Sequence, residues 1–483
     1  MSTGGASSRF VVAAAHTGAG KTTVTFGLIA ALRRRGLDVR PFKAGPDYID
    51  PGFLSRAADR PARNLDGWLL DAATVRWAFD RHAGAASAVV EGMMGLFDGL
   101  TGSDDTASTA HLARLLDLPV VMVLDASRAA RSVAAVARGC QVFDRRVRIA
   151  GWILNRVAGD THRNWVADAV ERATRLPVFG SLPEDPRLAL PERYLGLVQA
   201  HEASSLGRLR ARLAHEVERR FDLTRLLRIT RAARGRAAAA APRRLAPVLS
   251  APAEGPRRGN RPVIAWARDD AFTFQYADNI ELLEMLGARV APWSPLADRR
   301  LPDGIGALVL GGGYPELFAP ALADNHAALE AVRAFAQSGR PVYAECGGLM
   351  YLARGIAAEG AAPGRGRRLA GVVPVWARMR PRARVAYVRA QTLHDTVLAP
   401  RGTTVRGHEF HMSSLVPAPS AAEAAYRVAD ASGGPPRLDG WSRVGVLASY
   451  VHVNFLSDPR MAARLVAHAS AEGSAAVAER IRR

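Results

Sequence analysis

A short apolar run, Phe10-Val11-Val12-Ala13-Ala14-Ala15, leads directly into the turn Gly18-Ala19-Gly20-Lys21-Thr22-Thr23. A segment with helical spacing follows, Val24, Leu28, Ala31 and Leu32, and Gly36 ends it, which predicts a helix over about Lys21 to Arg35. Strand, glycine-rich turn and helix in that order call for a parallel sheet with helices on its faces. The turn also carries chemistry. Its backbone N–H groups and the helix N-terminus can cradle phosphates, Lys21 can neutralise the β/γ oxygens, and the Thr22 hydroxyl can reach Mg²⁺. Gly18, Gly20, Lys21, Thr22 and Thr23 are the candidate nucleotide-binding residues. The strict phosphate-loop pattern has glycine where this chain has Ala15.

The alternation continues along the first half. Strands are predicted at Asp38–Phe42, Ala88–Glu91, Val120–Asp125, Ile149–Asn155 and Pro177–Leu182, with amphipathic segments between them and a closing helix from about Leu206 to Arg228. From about Ala232 to Arg261 the chain becomes rich in Ala, Arg and Pro, as a linker would be. A second α/β pattern then begins, with strands at Pro262–Ala267, Ala307–Leu310 and Pro341–Glu345 and a helix near Asn279–Leu286. The 483 residues therefore divide into a domain over 1–230, a linker over 231–261 and a domain over 262–483.

Of the 65 basic residues only two are lysines, Lys21 and Lys43. Arginine serves everywhere else, so lysine persists where a compact three-donor ammonium cannot be replaced by a planar guanidinium. Lys43 precedes Gly45-Pro46-Asp47-Tyr48-Ile49-Asp50-Pro51, which the two prolines mark as a loop after the second strand. That places Asp47 and Asp50 beyond the carboxyl end of a strand, where open α/β sheets bind ligands. Two carboxylates beside a phosphate site suit metal binding and the orientation of phosphoryl transfer. Strand Ala88-Val89-Val90 then delivers Glu91, placed as a second metal-side acid, and Asp98 follows in a glycine-rich segment. Thr22, Asp47 and Glu91 are the candidate metal ligands.

In the second half, strand Pro341–Glu345 ends at Cys346-Gly347-Gly348. A nucleophile on a sharp strand-to-helix turn needs small neighbours, and a helix N-terminus beyond it would lower its pKa. Gly312 and Gly313, after strand Ala307–Leu310, offer N–H groups for an oxyanion hole. His452, after an apolar run near the C-terminus, is the candidate general base. Cys140 reads as a small buried hydrophobe. His408-Glu409-Phe410-His411 lacks the i, i+4 histidine spacing of a helical zinc site.

These motifs together resemble the cobyrinic acid and hydrogenobyrinic acid a,c-diamide synthase family, over nearly the whole chain except the linker. The resemblance is carried by Thr17-Gly18-Ala19-Gly20-Lys21-Thr22, by Phe42-Lys43-Ala44-Gly45-Pro46-Asp47-Tyr48-Ile49-Asp50-Pro51, and by Glu91 through Gly99. Glu345-Cys346-Gly347-Gly348 and Gly407-His408-Glu409-Phe410-His411 complete it. It implies an N-terminal P-loop domain similar to dethiobiotin synthetase and a C-terminal class I glutaminase domain. It further implies that ATP phosphorylates two side-chain carboxylates of a corrinoid polycarboxylate in turn, and that ammonia from glutamine replaces the phosphate. On that resemblance Lys21 and Thr22 hold ATP and Mg²⁺, and Asp47 and Glu91 complete the metal shell. Asp50 and Asp98 assist phosphorylation or order the corrinoid, and Lys43 lies against the transferring phosphoryl group. Cys346 forms the γ-glutamyl thioester and His452 activates it. Many class I glutaminases carry a glutamate two residues after that histidine, whereas this chain has Asn454, so the third member of the triad is left open.

Two other readings stand beside this one. A cobyric acid synthase-type amidase would share both domains. A partitioning-type P-loop ATPase binding nucleic acid would account for the net charge of +20, but that class carries an extra lysine where this chain has His16. Much of the charge falls in the linker, without the interleaved aromatic residues of a single-strand stacking surface. No apolar run reaches the ~18 residues of a membrane span, and no signal peptide is read at the N-terminus. The expectation is a cytoplasmic enzyme that acts without nucleic acid or membrane, with a homodimer allowed.

Overall fold

The apolar runs of the first half pair as one wholly parallel sheet in the computed structural model, which describes residues 7–190, 203–232, 238–250, 261–362 and 364–470. The chain divides into two compact units, 1–241 and 242–483. Of the expected linker, residues 233–237 and 251–260 lie outside the described residues.

The first unit runs β1 (Arg9–Ala14), α1 (Lys21–Arg34), β2 (Val39–Ala44), α2 (Asp50–Ala58), β3 (Arg63–Leu65), α3 (Ala72–Ala83), β4 (Ser87–Glu91) and α4 (Thr109–Leu116). It continues with β5 (Val120–Asp125), α5 (Ser132–Phe143), β6 (Ile149–Val157), α6 (Asp160–Thr174), β7 (Val178–Pro183), α7 (Ala203–Arg220) and α8 (Leu223–Ile229). The strand order is β3-β2-β4-β1-β5-β6-β7. β1 is thus a central strand between β4 and β5, buried on both faces, as its unbroken Phe10-Val11-Val12-Ala13 run requires. The chain leaves β1 toward β2 on one side and returns from β4 to β5 on the other. The carboxyl ends of these strands therefore form a topological switch point, the place where such sheets bind ligands. Phe26 and Ile29 of α1 share one core with Leu213 and Val217 of α7. Full burial of each such side chain is worth about 1.5–3 kcal/mol.

One local expectation is corrected. The segment from Gly45 to Pro51 is not wholly a loop, because α2 begins at Asp50 and Pro51 sits in its first turn. A first-turn proline gives up no hydrogen bond, since that N–H has no partner inside the helix.

The second unit opens with α9 (Ala246–Ser250), β8 (Val263–Ala267), α10 (Ala277–Met285), β9 (Arg289–Trp293), β10 (Ile305–Leu310), α11 (Ala319–Asp324) and α12 (His326–Gln337). Then come β11 (Val342–Glu345), α13 (Gly347–Leu352), β12 (Ala353–Ala357), β13 (Arg367–Arg368), β14 (Val373–Thr392), β15 (Thr404–Val416), β16 (Tyr426–Asp430), β17 (Arg437–Asp439), β18 (Trp441–Arg443), β19 (Val446–Ser449) and α14 (Arg460–Ala469). One sheet, β18-β19-β11-β10-β8-β9, is parallel apart from β18. A second sheet, β13-β12-β14-β16-β17 with β15 on β14, is mostly antiparallel, and the sequence reading did not anticipate it. Its long strand β14 carries exposed Arg378, Arg380 and Arg382 where an apolar alternation would have announced a strand. Among the described residues no helix is long and apolar enough to cross a membrane.

Candidate active sites

In the first unit a cleft of about 740 Å³ opens at the switch point, lined among others by Lys21, Thr22, Lys43, Asp47, Asp50 and Glu91. The turn after β1 is built on Gly18 and Gly20, with φ of 85° and 88°. Any side chain at residue 20 would also collide with Asn155, since a Cβ there would lie 2.1 Å from its amide nitrogen. Asn155 and Arg156, at the end of β6, fasten this loop. Asn155 Nδ2 donates to the Ala19 carbonyl at 2.9 Å, and Arg156 donates to the Gly18 carbonyl at 2.8 Å and to Asp125 at 2.6 Å. The sequence reading passed over both residues, although polar side chains at the carboxyl end of an apolar strand were a usable signal.

Lys43 is the hub of the cleft. It is 2% exposed, and its Nζ donates to Asp50 Oδ2 at 2.5 Å, Glu91 Oε1 at 3.0 Å and the Gly92 carbonyl at 3.1 Å. Asp47 Oδ2 lies 3.7 Å away. All three ammonium donors are thus committed to protein oxygens. Lys43 therefore holds the carboxylates of Asp50 and Glu91 together. Burial pulls the Lys43 pKa down, but the surrounding Glu91, Asp50 and Asp47 charges outweigh it and raise it. Burial lowers Lys21, and the charge of Lys43 adds to this. Burial lifts Asp47 to about 6, helped by Asp50, and lifts Glu91 to about 8 against the pull of Lys43. For Asp50 burial is outweighed by the Lys43 contact, and its pKa falls.

Thr22 Oγ1 donates to Glu91 Oε1 at 2.8 Å, while Glu91 Oε2 is buried without a hydrogen-bond partner. Oxygen donors from Thr22, Asp47 and Glu91 form a donor set that fits a hard divalent cation. Asp98 lies close enough for its charge to act on Lys21, and its Oδ2 accepts the Gly95 N–H at 2.8 Å, which fixes the turn after β4.

In the second unit Cys346 stands between β11 and α13 with φ 48° and ψ −101°, a strained conformation for a residue with a Cβ. Its neighbours must be small, since a Cβ at Gly348 would fall 2.2 Å from the Leu310 carbonyl oxygen. The Cys346 N–H bonds to the Ser449 carbonyl at 2.7 Å, and its Sγ reaches the Phe410 carbonyl at 3.5 Å. Contrary to the sequence expectation, the thiol pKa is raised. Burial dominates, Glu316 adds to it, and the single Gly347 N–H at the head of six-residue α13 does not compensate.

His452 is fully buried and lies beyond β19, paired backbone to backbone with His408 and stacked on its ring at 4.9 Å. His408 in turn meets the Tyr276 hydroxyl at 2.8 Å. Glu345 Oε2 lies 3.4 Å from His452 Nδ1. Asn454 is turned to another task, its Oδ1 accepting the Leu456 N–H at 2.9 Å. The glycine loop after β10 closes on His452 and on Gly347, the neighbour of Cys346. A Cβ at Gly312 would sit 2.4 Å from His452 Cε1, and the Gly313 nitrogen lies 2.9 Å from where a Gly347 Cβ would be. His411 stacks on Tyr450 and its Nδ1 meets the Ser413 carbonyl, so it contributes to packing around the site.

A parallel sheet with a phosphate-binding turn, followed by a cysteine-bearing α/β unit, defines a nucleotide-using glutamine amidotransferase, and the comparisons agree. Residues 10–197 match the CobQ/CobB/MinD/ParA nucleotide binding domain, and residues 263–460 match the CobB/CobQ-like glutamine amidotransferase domain. A cobyrinate a,c-diamide synthase of Syntrophotalea carbinolica is 41% identical over 466 residues, covering 95% of this chain and 98% of that protein. A hydrogenobyrinate a,c-diamide synthase of Thermobifida fusca is 41% identical over 474 residues, covering 96% and 97%. A cobyrinate a,c-diamide synthase of Salmonella typhimurium is 39% identical over 461 residues, covering 94% and 96%. The chain belongs to the family of cobyrinate and hydrogenobyrinate a,c-diamide synthases. It is an amide-forming, glutamine-dependent ligase of cobalamin biosynthesis.

Proposed function

We propose that this chain converts the a and c carboxylates of cobyrinate or hydrogenobyrinate to carboxamides, using ATP and glutamine. The observation that carries the proposal is the cage of Asp47, Asp50 and Glu91 around buried Lys43, beside the phosphate turn. A carboxylate is a poor electrophile, and the cage supplies what its activation needs, namely fixed charge and orientation. A substrate carboxylate oxygen attacks the γ-phosphorus of ATP and releases ADP. Ammonia then attacks the acyl carbon of the mixed anhydride, the C–O bond breaks with its electron pair going to phosphate, and the nitrogen loses a proton. Lys21 neutralises the phosphate oxygens. Lys43 holds Asp50 and Glu91 in place, and Asp50 orients the incoming carboxylate. Asp98 acts through the turn it pins. Thr22, Asp47 and Glu91 would hold Mg²⁺, which supplies charge neutralisation at the phosphates when bound.

In the glutaminase unit Cys346 attacks the glutamine carboxamide carbon and His452 takes the thiol proton. The N–H groups of Gly312 and Gly313 receive the developing oxyanion, His452 passes the proton to the leaving nitrogen, and ammonia departs to leave a γ-glutamyl thioester that water hydrolyses. The reaction requires neither nucleic acid nor membrane, and we assign it to the cytoplasm, where ATP and glutamine are abundant. A homodimer is compatible with it.

Incubating each corrinoid with ATP, Mg²⁺ and glutamine, and following the products by mass spectrometry, tests the proposal. A diamide from at least one of them is expected. No amidation of either, with glutamine or with ammonia, overturns it. Cys346→Ala should abolish glutamine use and retain ammonia-driven amidation.

A further inference from the structure

The glutaminase unit lacks a carboxylate two residues after His452, yet a carboxylate meets that imidazole from a different direction. Glu345 is the last residue of β11 and immediately precedes Cys346. Parallel pairing sets Glu345 opposite Ser449 on β19, three residues before His452. The carboxylate is held firmly. Its Oε1 accepts the Val453 N–H at 2.9 Å and the Tyr343 hydroxyl. Tyr343 sits two residues earlier on the same face of the strand. With Oε1 so engaged, Oε2 is directed at His452 Nδ1, 3.4 Å away. Glu345 and His452 are both buried, so water does not screen the pair.

We propose that Glu345 is the positioning residue of the glutaminase triad, taking the part that a downstream glutamate plays in other class I glutaminases. The proposal rests on the reading of Cys346 and His452 as nucleophile and base. A carboxylate at Nδ1 favours the tautomer with the proton on that nitrogen, which leaves Nε2 to accept the thiol proton. It also stabilises the imidazolium that forms. The gap of 3.4 Å is that of a site at rest, and such contacts tighten once the ring becomes charged. Nucleophile and orienting acid are thus adjacent in sequence. The strained turn at Cys346 sends one side chain toward Phe410 and leaves the other against His452. Asn454 is excluded from the role because its oxygen caps the turn at Leu456.

The test compares Glu345→Gln, Glu345→Asp and Asn454→Ala with wild type and Cys346→Ala, each assayed with glutamine and with ammonia. Glu345→Gln should lower glutamine-dependent kcat/KM by up to roughly 10⁴-fold, the scale of the loss when a triad histidine is left without its orienting carboxylate. Ammonia-driven turnover bypasses this site and reports that the variant is folded. Removing the carboxylate frees the ring from its orienting partner, so the loss should fall on kcat rather than on KM for glutamine. Glu345→Asp should recover part of the rate and Asn454→Ala should retain glutamine use. An unchanged glutamine-dependent kcat in Glu345→Gln overturns the proposal. So does selective loss of glutamine use in Asn454→Ala. Persistence of glutamine use in Cys346→Ala would instead overturn the underlying assignment of the nucleophile.

Discussion

Thr22 Oγ1 donates a hydrogen bond to Glu91 Oε1 at 2.8 Å, joining the head of α1 to the end of β4 across 69 residues of sequence. The contact ties the phosphate turn to the Lys43 cage, since the same Glu91 oxygen accepts from Lys43 Nζ. Thr22→Ala should therefore damage both the metal shell and the cage. Ammonia-driven amidation should fall by about 10²-fold, the scale for losing one well-placed polar group. Thr22→Ser, which keeps the hydroxyl, should recover most of it. Equal rates in the two variants would show that the hydroxyl is idle.

Lys43→Arg should fail although it preserves charge. Each N–H of the ammonium has its own oxygen partner at 2.5–3.1 Å in a pocket that leaves the side chain 2% exposed. A guanidinium is larger and planar and cannot converge on that set. Displacing the carboxylates by about 1 Å should cost on the order of 10²-fold in turnover. Steady-state kinetics with ammonia as nitrogen donor measure this, and wild-type kinetics would refute it.

Gly312→Ala should silence the glutaminase while sparing the ammonia-driven reaction. The added Cβ would lie 2.4 Å from His452 Cε1 and 3.1 Å from Phe274 Cβ, closer than packed atoms allow. Either the imidazole or the loop must move. The ratio of glutamine-driven to ammonia-driven rates is the measurement, and an unchanged ratio would count against the oxyanion-hole assignment.

Stability should fall at acid pH partly through His411. Burial holds its pKa at about 4 in the fold, below the ordinary 6.5. Between pH 6.5 and 4 the unfolded chain takes up the proton and the folded one does not. The contribution is therefore intact above 6.5 and is lost as pH falls toward 4, amounting to a few kcal/mol. His411→Gln should flatten this part of the curve. Denaturant unfolding of both proteins at pH 7 and pH 4.5 checks it, and identical slopes would exclude the effect.

The nucleotide half could be read from the chain because its signals are local. A strand, a glycine turn and a lysine are neighbours in sequence, and Glu91 ends an apolar run that announces itself. Glu345 ends such a run as well, but its partner is 107 residues downstream, and only the register of β11 against β19 brings the two together. Asn155 and Arg156 end an apolar strand and so left a signal, but their partners, residues 18 and 19, are set only by the pairing across the sheet. Asp98 could be picked out by its place near the site, but not the bond of its carboxylate to the Gly95 N–H, which depends on the local turn. The β14–β15 hairpin escaped notice because arginine occupies alternate positions where apolar side chains would have marked a strand.

The raised pKa of the Cys346 thiol bears on how long the enzyme survives under oxidative stress. Peroxides and alkylating agents attack thiolates, so a sulfur kept protonated and buried at rest is shielded from sulfenic acid formation. The burial that raises the thiol pKa thus also limits the access of such reagents to the nucleophile.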